Sequence, residues 1–219
     1  MKFKYLFLNV IVFTLLGYSC SETGDSYKPE WIDRDRMILI KNLTHSLDSL
    51  RILISNIPEE ELNQRPDSNS WSIAEVVEHL VLQDQAFYRE LTAISSRPEE
   101  TAFIEKLETN DARFLEYATD PNPSQADWFA VPTGNYKDFK IILNQFISVR
   151  NETINFVKET KADLRRHYTY RTIPDHLLDM EFYRIRKVRD LHQLMLNEIA
   201  HTYRHLGQII RIKEKAEGM

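Results

Sequence analysis

The sequence predicts an all-α protein, an antiparallel four-helix bundle. Apolar residues recur at steps of three and four in four long segments, as they do on one face of an amphipathic helix. Polar segments that contain proline or glycine separate these four segments. We find no internal repeat and no alternation of apolar and polar residues of the kind that is typical of strands. Long helices joined by loops therefore favour a bundle, and a mature chain of about 200 residues favours a single domain.

Three of the four helices are defined by their apolar stripes. The first runs from about Asp33 to Ile57, the third from about Tyr136 to Val157, and the fourth from about Arg186 to Lys213. The stripe of the fourth consists of Val188, Leu191, Leu194, Met195, Ile199, Leu206, Ile209 and Ile210. Residues 103–117 could form a connecting helix, whereas residues 162–185 have no assigned structure.

The start of the second helix is the best marked boundary in the chain. Ser72 is a good N-cap, and Glu75 stands three residues later, where its carboxylate can reach the Ser72 backbone N–H in a capping box. Trp71 can pack on Val76 as a hydrophobic staple. The helix is expected to end before Pro98, because a residue that precedes proline disfavours helical backbone.

The chain begins with a segment typical of an export signal. Two lysines within the first four residues precede an apolar run of about twelve residues and then a short stretch of small residues. This run is too short to cross a bilayer stably, which takes about 20 residues. A cleaved signal peptide over residues 1–19 is therefore favoured over a retained membrane helix.

Cys20, the only cysteine, stands where a bacterial lipoprotein signal places the residue that is lipidated. We expect the mature protein to be exported and lipid-anchored to the cell envelope membrane. Residues 20–32 then form a tether and residues 33–216 the helical domain, and the lipid anchor is the only membrane contact expected. The alternative is ordinary secretion with a free thiol at Cys20.

The charge of the chain excludes one class of partner. Loss of Lys2 and Lys4 with the signal segment moves the formal net charge from −5 to −7. Because binding to phosphates needs clustered lysine and arginine, we expect no nucleic-acid partner. Amphipathic bundles often dimerise, and a homodimer is compatible with the sequence.

Three histidines are candidates for metal ligands. His201 and His205 are four residues apart on a predicted helix, so both imidazoles leave the same face, one turn apart. His79 lies on the edge of the second helix and is the natural third ligand of a site that keeps one position open. The alternative is that these histidines are packing residues. Thr202 stands where a zincin protease needs glutamate, so that class of enzyme is disfavoured.

Two sequence motifs resemble the DinB-like (DinB/YfiT-like) metalloenzymes. They are Trp71-Ser72-Ile73-Ala74-Glu75-Val76-Val77-Glu78-His79-Leu80 and His201-Thr202-Tyr203-Arg204-His205-Leu206-Gly207-Gln208-Ile209. The resemblance extends from about residue 33 to residue 213. It implies a four-helix bundle that binds a divalent metal through His79, His201 and His205, with zinc or nickel as the expected ion. The segment between the third and fourth helices is longer and richer in arginine than the family pattern.

The first functional hypothesis is a metal-dependent transferase or hydrolase that acts on a small molecule. On the helical wheel, Glu75, Gln83, Glu198 and Gln208 fall near the predicted ligands and could orient them, with Glu198 and Gln208 as the candidate catalytic residues. The second hypothesis is a lipid-anchored, non-catalytic binding or structural module. The third is a bundle whose arginine-rich segment, residues 165–189, docks a partner or lipid headgroups.

Overall fold

In a computed structural model, the protein is described over residues 31–107, 110–120, 126–134, 138–171, 175–177, 179 and 187–217. The predicted signal peptide, the lipidation site Cys20 and most of the predicted tether lie outside these residues. Among the helices that the structure describes, none combines the length and the apolar character that crossing a bilayer requires.

Six α-helices and one pair of short strands make up the described structure. The helices are α1 (Asp33–Ser55), α2 (Glu59–Leu62), α3 (Ile73–Ser95), α4 (Asp111–Ala118), α5 (Phe139–Glu159) and α6 (Leu191–Glu217). The strands β1 (Tyr168–Tyr170) and β2 (Val188–Asp190) pair in antiparallel register, and 3-10 turns cover Thr101–Lys106, Trp128–Ala130 and Asp175–Leu177. The predicted all-α bundle is confirmed, with α1, α3, α5 and α6 as its four long helices.

The structure refines the predicted helix boundaries. The fourth helix starts at Leu191 rather than near Arg186, because residues 188–190 are buried as strand β2. The sequence shows no alternating strand pattern, and the two strands of the structure, with three residues each, are too short to have one. The connecting helix expected over residues 103–117 is divided into a 3-10 turn and α4.

The four long helices do not simply alternate in direction. One core cluster joins the C-terminal half of α1, the N-terminal halves of α3 and α5, and the C-terminal half of α6, while a second cluster joins the opposite ends. Consequently α1 and α6 run in one direction and α3 and α5 in the other. The long connection between α3 and α5 makes this possible, because it returns the chain to the end of the bundle where α3 began. Each of α1 and α3 packs against both α5 and α6.

The predicted capping box forms at the start of α3. The Ser72 hydroxyl accepts a hydrogen bond from the Glu75 N–H at 3.2 Å, and the Glu75 carboxylate accepts one from the Ser72 N–H at 2.8 Å. Glu75 also forms an ion pair with Arg65 in the preceding loop. The cap sets the first turn of α3, and it thereby places His79 in the second turn.

A fully buried ion cluster ties the four long helices together. Arg150 of α5 donates to Asp84 of α3 at 2.7 and 3.0 Å, to Ser46 of α1 at 2.8 Å, and to Thr202 of α6 at 2.9 Å. Glu198 of α6 lies 3.0 Å from Arg150 Nε. Such a cluster adds little net stability over apolar packing, but removal of one partner leaves a buried charge unpaired. It therefore favours one alignment of the helices over its alternatives.

Two arginines at the strand pair, Arg165 just before β1 and Arg189 within β2, are also buried. Arg165 is 2% exposed and forms ion pairs with Asp111 and Asp190, while Arg189 is 1% exposed and pairs with Glu90. Buried arginines of this kind cannot contact lipid headgroups or a partner surface. Arg165 and Arg189 are therefore not available for the docking role that was considered for residues 165–189.

Candidate metal centre

Three imidazoles converge between α3 and α6 at the end of the bundle where α3 begins. The Nε2 atom of His201 lies 3.1 Å from Nε2 of His79 and 3.0 Å from Nε2 of His205. His79 and His205 are 4% and 7% exposed, and His201 is partly buried. Within the described part of the chain, these residues form a group of potential ligand atoms that all lie within 4.8 Å of one another. The three predicted ligands are thus brought together.

The outer nitrogens of two of these imidazoles are held by acceptors. His79 Nδ1 lies 2.7 Å from the Ala130 carbonyl oxygen, and His205 Nδ1 lies 2.7 Å from Gln208 Oε1. A carbonyl oxygen can only accept, so each Nδ1 carries the proton and donates it. The Nε2 atom of each ring is then left with a lone pair that points into the centre.

Lone pairs that converge in this way cannot satisfy one another. His201 Nε2 has two nitrogen neighbours and at most one proton in its neutral form, so at least one of the two short contacts joins two acceptors. A cation removes this conflict. Imidazole nitrogens bound to one zinc-like ion at about 2.0–2.1 Å lie about 2.9–3.4 Å apart for bond angles between 90° and 109°. The two separations from His201 fall in that range, and all the ligand atoms lie within 4.8 Å of one another, so the donor set fits a divalent metal ion.

The electrostatic surroundings keep His79 and His205 neutral. Burial lowers the pKa of His79, and the positive charge of Arg204 lowers it further. Burial is also the main reason that the pKa of His205 falls to about 3, with His79 as the next contributor. A neutral imidazole is the form that binds metal, so both side chains are ready to act as ligands near pH 7 without losing a proton.

The candidate orienting residues have different positions. Gln208 contacts His205 Nδ1 directly and can fix the orientation of that ring. Glu198 instead faces Arg150, and Glu75 belongs to the capping box. Gln83 is buried one turn after His79.

The remaining histidines in the described residues lie elsewhere. His45 contacts Tyr203 on the outside of the bundle, His167 contacts backbone carbonyls, and His192 lies in the buried cluster around Arg165. His176 is exposed in a 3-10 turn. None of them belongs to the metal-ligand group.

Sequence reasoning missed the loop that borders the centre. The carbonyl of Ala130 holds His79, and Glu78 binds the backbone of the same loop at Thr133 and Gly134. A backbone carbonyl leaves no trace in a sequence pattern. The adjacent pair Glu78-His79, flanked by two valines on one side and by Leu80-Val81 on the other, was the one available indication.

The fold and the centre define the class of this protein: a four-helix bundle with a three-histidine site between two of its helices. A family model for the DinB superfamily matches residues 42–209, and the chain belongs to that superfamily. A comparison with curated proteins found no match.

Among solved structures, the chain is similar to YfiT from Bacillus subtilis. That protein is described as "a probable metal-dependent hydrolase with an unusual four-helix bundle topology". The match has a TM-score of 0.54 at 13% sequence identity, and it covers 89% of this chain and 95% of that chain. At this identity the likeness establishes the fold alone.

Proposed function

We propose that this protein is a metal-dependent hydrolase that acts on a small molecule. The observation that carries the proposal is the convergence of three imidazoles: Nε2 of His201 lies 3.0–3.1 Å from Nε2 of His79 and of His205, and the outer nitrogens of these two rings already donate to acceptors. Three protein ligands are the usual number in a catalytic site, whereas a structural zinc site has four. The superfamily and the fold of YfiT, a probable metal-dependent hydrolase, support the same assignment.

Each part of the centre has a distinct task in this proposal. His79, His201 and His205 hold the ion, while the Ala130 carbonyl and Gln208 set the direction of two of the rings. The Trp71 ring packs on His79 with centroids 5.1 Å apart and covers one side of that ligand. A divalent ion such as zinc or nickel supplies a Lewis acid, which lowers the pKa of water and polarises a carbonyl or phosphoryl group.

Metal analysis tests the first half of the proposal. The domain from residue 21 is purified, loaded with zinc or nickel, and compared with a His201→Ala/His205→Ala double variant and with His45→Ala, which removes a histidine outside the centre. We expect one metal ion per chain in the wild type and in His45→Ala, and none in the double variant. Equal metal content in all three proteins would contradict the assignment of the ligands.

Cobalt substitution tests the second half, because a catalytic centre must have an exchangeable position. Azide added to the cobalt form is expected to change its visible absorption spectrum, and a panel of activated esters and amides is then assayed for hydrolysis. Transfer of an acyl group to an added thiol in place of water would identify a transferase. A cobalt spectrum that does not respond to azide would instead favour the non-catalytic binding module.

We also propose that the protein is exported and lipid-anchored through Cys20. The proposal rests on the basic start, the short apolar run and the position of the only cysteine. Growth with a radiolabelled fatty acid is expected to label the full-length chain, and Cys20→Ser to abolish the label. Labelling that survives in the variant, or its absence in the wild type, would contradict the anchor.

A further inference from the structure

A buried carboxylate fastens the loop that borders the metal centre. Glu78 is 2% exposed, and its Oε1 accepts hydrogen bonds from the Thr133 N–H at 2.9 Å and from the Thr133 hydroxyl at 2.6 Å. Its Oε2 accepts a third from the Gly134 N–H at 3.0 Å. Both carboxylate oxygens therefore accept hydrogen bonds from two consecutive residues of the loop.

The backbone of the loop is shaped for this contact. Gly134 has a φ of +65°, the left-handed region that favours glycine, and it is the one residue with positive φ in the described part of the chain. This conformation lets the N–H groups of Thr133 and Gly134 point to the same carboxylate. Consecutive N–H groups that converge in this way form a small anion-binding concavity.

The same loop is held a second time, four residues earlier. The Ala130 carbonyl accepts the proton of His79 Nδ1 at 2.7 Å. Glu78 and His79 are neighbours in α3, so two consecutive side chains hold the loop at both ends of the segment from Ala130 to Gly134. A segment of this length with both ends held has little freedom to withdraw its carbonyl from the imidazole.

We propose that Glu78 is a positioning residue of the metal centre. Its carboxylate fixes the loop so that the Ala130 carbonyl keeps His79 protonated on Nδ1 and leaves Nε2 as the metal ligand. Residues behind the ligands that set the orientation and tautomer of an imidazole change metal affinity by about 10–100-fold. Because Glu78 acts through the loop, we place its effect near tenfold. The predicted effect on metal affinity rests on the proposed function, whereas the predicted effect on the tautomer of His79 does not.

The chemistry of Glu78 favours this role over simple loop attachment. A carboxylate that is withdrawn from water is costly unless charge-assisted hydrogen bonds compensate, and all three bonds here go to the loop. An apolar side chain at this position could pack the loop without that cost. The carboxylate adds a defined geometry, which a metal ligand requires.

The test compares Glu78→Gln and Glu78→Ala with Glu90→Gln. Glu90 is also on α3, but it contacts Arg189 at the opposite end of the bundle. The glutamine variant keeps one acceptor oxygen and turns an NH₂ group toward the Gly134 N–H, so it weakens the loop contact without a loss of volume. Thr133→Val removes the hydroxyl bond alone and is a milder perturbation.

Two measurements are made on each protein. Long-range ¹H–¹⁵N NMR of the metal-free protein reports the tautomer of His79, and competition with a chelating dye reports the Kd for zinc. We expect the wild type and Glu90→Gln to show the Nδ1–H tautomer and the same Kd. Glu78→Ala is expected to mix tautomers and to weaken zinc binding about tenfold, with Thr133→Val at about two- to threefold.

The outcomes separate this inference from the proposed function. If Glu78→Gln and Thr133→Val keep both the His79 tautomer and the zinc Kd of the wild type, Glu78 merely attaches the loop and the inference is wrong. If the wild type binds neither zinc nor cobalt, the proposed function fails, but the tautomer of His79 still decides the role of Glu78. Should Glu78→Ala fail to fold, the other two variants carry the test.

Discussion

The buried ion cluster predicts how the stability of this protein depends on pH. Arg150, Asp84 and Glu198 are all fully buried, so one guanidinium faces two carboxyl groups without water. Arg150 donates two hydrogen bonds to Asp84 Oδ2, and the single proton of its Nε is used in one of them. Glu198 lies 3.0 Å from that Nε but does not receive its proton. Asp84 is therefore the ionised partner, and Glu198 is the group that keeps a proton.

The pKa shifts agree with this assignment. Burial raises the pKa of Asp84 to about 6 and that of Glu198 to about 8, with the charge of Arg150 opposing both shifts. A raised carboxyl pKa means that the folded state binds more protons than the unfolded state between the two pKa values. The contribution of Glu198 to stability is thus complete below its unfolded value of 4.5 and is lost as the pH rises through about 8.

Glu198→Gln isolates this contribution, because the amide is neutral at every pH and has nearly the same shape. One excess proton bound by the folded state changes the free energy of unfolding by about 1.4 kcal/mol per pH unit. Between pH 6 and pH 8 the free energy of unfolding of the wild type should therefore fall by about 2 kcal/mol relative to that of the variant. Titrating groups that do not interact with Glu198 are common to both proteins and cancel in this difference.

Urea unfolding in the presence of EDTA, at pH 6 and at pH 8, measures the difference without a contribution from metal. Asp84→Asn is the contrasting variant, since it removes the ionised partner of a buried guanidinium and should lower the free energy of unfolding by about 3–5 kcal/mol. A Glu198→Gln variant that is destabilised equally at both pH values, or more at pH 8, would show that Glu198 is ionised in the fold and that the assignment is reversed.

Three further predictions address the centre and the framework. Zinc at 100 times its Kd should raise the unfolding free energy of the wild type by about 2.7 kcal/mol, or roughly 5–10 °C in Tm by calorimetry, and should not change the Tm of His201→Ala. Gln208→Ala should weaken zinc binding about tenfold by dye competition, because His205 loses the acceptor on Nδ1, and an unchanged Kd would contradict that role. Ser72→Ala should lower stability by about 1 kcal/mol in urea unfolding, and no loss would mean that the capping box is not needed.

The sequence predicted those parts of the molecule that depend on local periodicity. The four apolar stripes correspond to the four long helices, and the Ser72 and Glu75 pair corresponds to an actual capping box. Both depend on residues three or four apart, whose contact is dictated by the geometry of a helix. The approach of His201 and His205 has the same origin. His79 was chosen as the third ligand from its place on a helix edge, and the family resemblance supported that choice, since nothing in the local pattern relates α3 to α6.

The features that the sequence did not predict depend on contacts between distant residues. Charged residues are most often solvated, so the sequence gave no indication that Arg150 and Arg165 are buried. The helical wheel placed Glu198 near the metal ligands, whereas the structure pairs it with Arg150 on another helix. The Ala130 carbonyl was out of reach because every residue carries one.

The buried ion cluster joins the two helices that carry the metal ligands, and this arrangement has a physical reason. Apolar side chains pack with little directionality, so the cores between α3 and α6 would tolerate small shifts of one helix along the other. Three nitrogens that share one ion tolerate no such shift, because their separations are set by the metal bonds. Arg150 restores the missing directionality, since its hydrogen bonds join Asp84 on α3 to Thr202 on α6, next to His201. The alignment that a metal ion needs is thus specified by charged groups about one turn away, while the apolar core supplies most of the stability.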